Sequence, residues 1–183
     1  MAVPAISLKT FWEAGQTYAD WLKSSDANQR AEMEKIYEEV KLDAATEAFA
    51  KGLKRPVHVL ALSEGWCGDV RRNIPALAKL CAAGPNLRLR VVDKETKPEL
   101  MVRYLTNGAE AIPIFIFMSE QFVEVGFWGP RPSACKRLMA RGKAAGKIDD
   151  ARVGIKKFYD ADQHRSTLAE LKELAEIAAA DAP

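Results

Sequence analysis

The sequence predicts an α/β protein in which a mixed sheet of about four or five strands lies between helices. In the middle of the chain, short apolar, β-branched segments alternate with amphipathic ones in the order β-α-β-α-β-β-α. The 183 residues are 48% hydrophobic, which is enough for one domain with a sizeable core. We predict three parts: an N-terminal helical extension over residues 1–52, a core domain over 53–145 and a C-terminal helical extension over 146–183.

The N-terminal extension is predicted to be helical in three steps. The segment LKTFWEAGQTYADWL places four aromatic residues on roughly one face, with Gly15 as its weak point. One of residues 24–26, with the sequence SSD, is expected to cap the next helix, NQRAEMEKIYEEVKL, whose apolar residues recur at i, i+3, i+4 and i+7. A short helix then runs from Ala44 to Lys51 and ends at Gly52.

The core elements follow in order. VHVLALS is a buried strand, RRNIPALAKLCAAG a helix ending at Gly84, and LRLRVVD a strand parallel to the first, because a helix joins the two. PELMVRYLTNG is predicted as a helix that stops at Gly108. IPIFIFM and FVEVGFW are antiparallel strands around a short turn, and RPSACKRLMARGKAAG is the last core helix. Residues 148–180 are helical again, with a break near 160–162.

Composition excludes several classes of function. The chain has 27 basic and 25 acidic residues, so its net charge of +2 gives no electrostatic case for a nucleic-acid partner. No apolar run approaches the roughly 20 residues of a membrane span. The N-terminus lacks a secretory pattern, and three widely spaced cysteines do not form a disulfide framework. These features predict a cytoplasmic protein with reduced thiols and no membrane partner.

The chemistry-bearing segment is SEGWCGDV, which follows the first strand. Its Trp66-Cys67 starts a helix that contains Pro75, and Ile112-Pro113 precedes the third strand. In this order and spacing these positions resemble the thioredoxin fold over residues 53–145. The resemblance implies a reactive Cys67 at a helix N-terminus, with a cis-proline at Pro113 that positions substrate beside it.

A narrower resemblance covers more of the chain. SEGWCGDVRRNIPALAKL, GFWGPRP and IKKFYDADQHRSTLAELKEL resemble a bacterial group of thioredoxin-like proteins with Trp-Cys-x-Asp and helical extensions at both ends. Dithiol members of this group carry a second cysteine where this chain has Val70. Typical thioredoxins bury an aspartate six residues before the first cysteine, where this chain has Ala61. The two departures remove the second thiol itself and the aspartate that serves it.

Cys67 is therefore the predicted catalytic nucleophile of a monothiol redox protein. Free N–H groups at a helix N-terminus stabilise a thiolate, which is the reactive form of cysteine. Two charged pairs are predicted to tune it: Arg71 and Arg72 favour the thiolate, whereas Glu64 and Asp69 oppose it. The expected substrate is a protein disulfide or a small-thiol compound.

Neither of the other cysteines is predicted to resolve a mixed disulfide. Cys81 lies along the same helix, roughly 20 Å from Cys67 at about 1.5 Å per residue, whereas a disulfide needs Cα atoms within about 7 Å. Cys135 begins the last core helix, which the thioredoxin topology places away from the active-site loop. Both are expected to be apolar filler, so an external thiol such as glutathione or bacillithiol would have to resolve the intermediate.

Cofactors and metals are not predicted, because the histidines lie far from Cys67 in sequence and no cysteine pair has ligand spacing. His58 is expected to be a strand residue and His164 a solvated helix residue. The thioredoxin-fold peroxidase and monothiol glutaredoxin patterns also fail, since Glu64 replaces a threonine and Gly-Asp-Val replaces Gly-Phe-Ser after Cys67.

The remaining site residues leave alternatives open. The predicted substrate-binding set is Trp66, Gly68, Asp69, Ile112 and Pro113. Trp66 either forms a partner surface or packs on the helix, and Asp69 either acts as a general base or, as we favour, caps the helix. Phe127 and Trp128 are expected in the core.

Two other functions compete with redox chemistry. One is a non-catalytic module that binds a partner through the surface around Trp66 and Pro113. The other is a scaffold whose helical extensions form a homodimer interface.

Overall fold

Residues 7–180 are described by the computed structural model of the chain. Its helices in this range are α1 (Leu8–Ala14), α2 (Tyr18–Ser24), α3 (Ala27–Glu39), α4 (Ala44–Gly52), α5 (Gly68–Ala82), α6 (Pro98–Met101), α7 (Ser133–Ala144), α8 (Ile148–Asp162) and α9 (Arg165–Ala179). The strands are β1 (Val57–Ser63), β2 (Leu87–Asp93), β3 (Ile114–Met118) and β4 (Glu124–Trp128). No helix in the described range is long and apolar enough to cross a membrane.

The four strands form one mixed sheet in the order β2-β1-β3-β4. β1 pairs in parallel with β2, from Val57 opposite Leu87 to Ser63 opposite Asp93, whereas β3 is antiparallel to both β1 and β4. Every residue of β1 and β3 is buried. Helices must therefore cover both faces of the sheet, which explains why these strands are apolar without alternation. The topology is that of the thioredoxin fold with helical extensions, which confirms the predicted fold class.

The first predicted helix is in fact two helices. α1 ends before Gly15, and Gln16 instead exchanges both main-chain hydrogen bonds with Val91 of β2, each with an N···O distance of 2.9 Å. The close approach requires a glycine, because a Cβ on Gly15 would lie 2.9 Å from the Cβ of Arg90. Thr17 then caps α2. Helical periodicity in the sequence does not reveal that hydrogen bonds to the edge strand β2 separate α1 from α2 at this point.

The helix predicted over 98–108 is also wrong, since α6 lasts a single turn. The chain then turns so that Tyr104 is buried and its hydroxyl donates to Glu124 Oε2 at 2.9 Å. Asn107 and Gly108 both have positive φ, 53° and 78°, in a tight turn. Asn-Gly is a strong signal for such a turn, so Gly108 belongs to this turn and is not the C-cap of a long helix.

The C-terminal extension folds back at Gln163-His164, both in the left-handed region, slightly later than predicted. His164 is not a solvated helix residue: its Nδ1 is buried at this hinge. The extension is fastened to the core through Asn73 of α5, which is fully buried. The Asn73 amide donates to the Tyr159 hydroxyl at 2.9 Å, and Thr167 donates to Asn73 Oδ1 at 3.3 Å.

A glycine contact joins α4 to the core and can be tested. A Cβ on Gly84 would lie 2.0 Å from the carbonyl oxygen of Ala50, so Gly84→Ala must displace α4. We expect a loss of about 1–3 kcal/mol in the free energy of unfolding. Gly154→Ala is the control, because its Cβ meets nothing within 4 Å and alanine in a helix gains about 1 kcal/mol. Urea denaturation of both variants measures the difference; equal effects would contradict the contact.

Both histidines make stability depend on pH. Burial lowers the pKa of His58 and of His164 below the ordinary value of 6.5. Below that pH the unfolded chain binds more protons than the folded one, so stability falls as pH decreases from about 7.5 to about 5.5. Burial raises the pKa of Glu64, which acts in the opposite direction. We therefore expect a smaller loss in a His58→Asn/His164→Asn variant, measured by unfolding at both pH values; an unchanged slope would contradict this assignment.

Candidate functional site

Cys67 lies at the N-terminus of α5, where the chain turns directly out of β1. Its N–H donates to the Glu64 carbonyl at 3.0 Å, and its own carbonyl accepts the first helical hydrogen bond, from Arg71 N at 3.0 Å. No described side chain caps this helix, so the free N–H groups of its first turn remain available around the thiol. The thiol is half-buried, and its Sγ lies 3.5 Å from the carbonyl oxygen of Ile112. The Ile112-Pro113 peptide is cis.

The position of the missing second thiol is closed by apolar packing. Val70 and Ala61 are both fully buried. Burial raises the pKa of Cys81, at the far end of α5, to about 12 and that of Cys135 to about 11. Because the thiolate is the nucleophile, these two thiols are unreactive at neutral pH. Cys135 packs with Ile155 and Tyr159 of α8, as expected of apolar filler.

Arg71 connects the Trp66 loop to the N-terminal extension. Its Nε donates to Glu32 Oε2 of α3 at 2.6 Å, and its NH1 donates to the carbonyls of Gly65 at 3.1 Å and Trp66 at 2.7 Å. The guanidinium thus holds the backbone before Cys67 while Glu32 balances its charge. Trp66 is left 55% exposed, which favours the partner-surface alternative for this residue.

Asp69 binds a second arginine on another part of the loop. Arg131 Nε donates to Asp69 Oδ1 at 2.9 Å, and a further guanidinium nitrogen pairs with the other carboxylate oxygen. This bidentate geometry is the strong form of an arginine–carboxylate pair. The favoured capping role of Asp69 is therefore wrong, because its carboxylate faces Arg131 and α5 has no side-chain cap.

Arg131 belongs to a loop that also supports Pro113. Its Gly129-Pro130 peptide is cis, and Gly129 has φ +135°. A Cβ on Gly129 would lie 2.0 Å from the carbonyl oxygen of Pro113, so only glycine allows the two loops to touch. The Asp69–Arg131 pair therefore ties the start of α5 to the segment behind Pro113.

Other predicted site residues do not converge on the sulfur. Glu64 is buried and its Oε1 accepts the N–H of Glu95 at 2.9 Å; burial raises the pKa of this carboxyl. Arg72 lies over the Tyr159 ring, 4.8 Å from its centroid. Gly68 is exposed in the first turn of α5.

The two aromatic residues at the end of β4 face different environments. Trp128 is buried, as predicted, and its indole N–H donates to Glu170 at 2.7 Å. Phe127 is 46% exposed, so its predicted core position is wrong. The alternation of side chains along a strand sends neighbouring residues to opposite faces.

Metal ligands are not grouped anywhere in the described part of the chain: no three His, Cys, Asp or Glu side chains there are placed to hold an ion.

Two ion pairs and a second cis peptide at the site were not predicted from the sequence. Glu32 is 39 residues from its partner Arg71, and Arg131 is 62 from Asp69, so no local spacing reveals either pair. The sequence carries one signal for the second cis peptide, at Gly129-Pro130: the segment GPRP combines glycine and proline residues.

Fold and site together define a thioredoxin-like protein. A thioredoxin family model matches residues 15–149, most of the chain, and the protein therefore belongs to the thioredoxin family. No curated protein matches it.

Two crystal structures are similar over nearly the whole length of the chain. A protein of unknown function from Pseudomonas aeruginosa is 20% identical, with a TM-score of 0.73, and the match covers 96% of this chain and 100% of that one. An HIV epitope-scaffold is also 20% identical, with a TM-score of 0.70 and coverage of 95% and 100%. At this identity the similarity shows the fold alone.

The Asp69–Arg131 pair can be tested with a double-mutant cycle. Its side chains are only 18% and 24% exposed, so Asp69→Asn and Arg131→Met should show a coupling energy of about 1–3 kcal/mol in urea unfolding. The control is the exposed Lys156–Asp160 pair of α8, expected to give about 0.3–0.5 kcal/mol. A site pair that couples no more strongly than this control would refute its proposed role in holding the loop.

Proposed function

We propose that this thioredoxin-family protein is a monothiol redox protein of the bacterial Trp-Cys-x-Asp group, with Cys67 as its nucleophile in thiol–disulfide exchange. The observation that carries the proposal is the position of the Cys67 sulfur, half-exposed at an uncapped helix start and 3.5 Å from the Ile112 carbonyl oxygen. The other two cysteines are buried, so Cys67 is the thiol within the described chain that a substrate can reach.

The reaction takes two exchanges. The Cys67 thiolate attacks one sulfur of a substrate disulfide; a bond forms between Cys67 and that sulfur, and the other sulfur leaves with the electron pair and takes up a proton. A small external thiolate of the glutathione or bacillithiol class then attacks the substrate sulfur of this mixed disulfide. The Cys67 thiolate is released, and the external thiol is oxidised into a disulfide with the substrate.

The roles of the neighbouring residues follow from their contacts. Ile112 and Pro113 form the wall opposite the sulfur, and Trp66 offers an exposed apolar surface beside it. Arg71 fixes the carbonyls of Gly65 and Trp66. We propose that an incoming disulfide lies between the Trp66 indole and the Ile112 carbonyl, with Gly68 leaving room above the helix start.

The boundaries and location of this unit are also proposals. We assign residues 53–145 to the thioredoxin-like domain, with 1–52 and 146–183 as its extensions. A cytoplasmic location suits the mechanism, because free thiols are maintained there and supply the resolving step.

A second candidate is a non-catalytic module that binds a partner protein. The exposed Trp66 indole favours it, because exposed aromatic side chains frequently anchor protein interfaces. The two candidates differ in whether Cys67 is required.

The reduction of a small disulfide by glutathione tests the nucleophile. We expect the protein to accelerate reduction of hydroxyethyl disulfide, and we expect Cys67→Ser to remove this acceleration entirely because serine cannot form the mixed disulfide. Cys81→Ser and Cys135→Ala are the controls and should retain it. Intact-mass analysis after incubation with hydroxyethyl disulfide alone should show one 2-mercaptoethanol group on the wild type and none on Cys67→Ser. Activity that survives in Cys67→Ser, or no acceleration by the wild type, would favour the binding module.

A second variant tests whether only the resolving thiol is missing. Val70→Cys changes a buried side chain in the first turn of α5 by little volume. We expect this variant to form an internal disulfide between Cys67 and the introduced thiol, and to reduce insulin disulfides without glutathione. A Val70→Ala control should do neither. A well-folded Val70→Cys protein that forms no such disulfide would show that the loop is not built for exchange.

A further inference from the structure

A groove on the helical side of the molecule has no part in the site described above. It lies between α2, α3 and the last turns of α5, and its volume is about 570 Å³. Small-molecule sites typically measure roughly 300–1,000 Å³ and have apolar linings. The apolar part of this lining consists of Ala19, Leu22, Ala78, Cys81, Ala82 and Leu89. Because Cys67 begins α5 and this groove adjoins its end, the two sites are about 20 Å apart along the helix.

Two tyrosines supply the aromatic part of the lining. The Tyr18 and Tyr37 rings are stacked, with centroids 6.5 Å apart and planes at 23°. The Tyr18 hydroxyl oxygen is buried, so Tyr18 contributes ring surface rather than its hydroxyl to the groove.

The charges around the groove favour a cation. The carboxylates of Glu34 and Glu38 lie along α3 at its rim, and neither forms an ion pair in residues 7–180. Lys79, which lies outside the groove lining, already places its ammonium 4.3 Å from the Tyr37 ring centroid. That contact shows that this aromatic wall accepts an ammonium group. Two carboxylates against one ammonium leave a net negative rim.

We propose that this groove binds a small molecule with an aromatic or alkyl body and an ammonium group. The body lies on the alanine and leucine floor, and the ammonium lies near Glu34 and Glu38. The groove volume of about 570 Å³ lies in the range of small-molecule sites, which favours a small ligand over a protein partner. This site goes beyond the proposed redox function and does not depend on it.

Three probes with the same ring test the charge preference. Phenethylammonium, 2-phenylethanol and phenylacetate should be titrated into the full chain and followed by ¹H–¹⁵N NMR. We expect shifts at Tyr18, Tyr37 and Ala82 with phenethylammonium. Phenylacetate should bind at least about fivefold more weakly, the factor that corresponds to one unit-charge interaction at about 4 Å in water. Equal binding of the two ions, or shifts confined to other surfaces, would overturn the proposal.

Variants on exposed positions test the location. Ala82→Phe fills the groove from an exposed site and should abolish binding, while Ala48→Phe on α4 is a matched control that should leave it intact. Glu34→Gln/Glu38→Gln should remove the preference for the cation, and Glu99→Gln should not. Binding that survives Ala82→Phe in a folded protein would place the ligand elsewhere.

Sedimentation velocity tests whether a second copy of the chain, rather than a small molecule, fills the groove. A wild-type dimer that Ala82→Phe converts to monomer would show that a second copy of the chain fills the groove and would overturn the ligand proposal. The rate of hydroxyethyl disulfide reduction should be unchanged in Ala82→Phe. A failure of the ligand-binding proposal can therefore be distinguished from a failure of the proposed redox function.

Discussion

The turn between β1 and α5 depends on two arginine–carboxylate pairs that come from different parts of the chain. Glu32 of α3 and Arg131 of the loop after β4 each bind a residue in the first turn of α5, Arg71 and Asp69 respectively. Since Arg71 and Arg131 each pair with a carboxylate, neither of these two arginines acts on the thiol as a bare cation. The environment of the Cys67 sulfur is therefore set mainly by backbone groups: the uncapped N–H groups of α5 and the Ile112 carbonyl.

The two positions that serve a second thiol in dithiol relatives are part of the hydrophobic core here. Full burial of a valine side chain contributes about 1.5–3 kcal/mol to folding, so Val70 contributes packing where a cysteine would contribute chemistry. Under the monothiol mechanism proposed above, Cys67 would form the mixed disulfide and an external thiol would complete the cycle. The rate of that reaction would then follow the concentration of the external thiol, because Val70 supplies no second thiol.

The core strands and their order were predictable from the sequence, whereas contacts between distant segments were not. β1 matches its predicted segment because a strand buried on both faces is a nearly continuous apolar run. The edge strand β2 matches because leucines alternate with arginines before Val91 and Val92. The helix split at Gly15 and the short α6 were missed because β2 and the Asn107-Gly108 turn override local periodicity. The position of Cys67 at a helix N-terminus was predictable from Trp66-Cys67, but the ion pairs beside it join residues too far apart for spacing to reveal them.

The Gln16–Val91 bridge has a consequence for how copies of this protein behave toward one another. β2 is the outermost strand on its side of the sheet, and an outermost strand offers unpaired amide and carbonyl groups as a template for aggregation. Gln16 occupies both of these groups at Val91. The segment between α1 and α2 thus blocks edge-to-edge pairing of β2 with another copy at this position. A chain that began after this segment would leave the N–H and carbonyl groups of Val91 unpaired at the edge of the sheet.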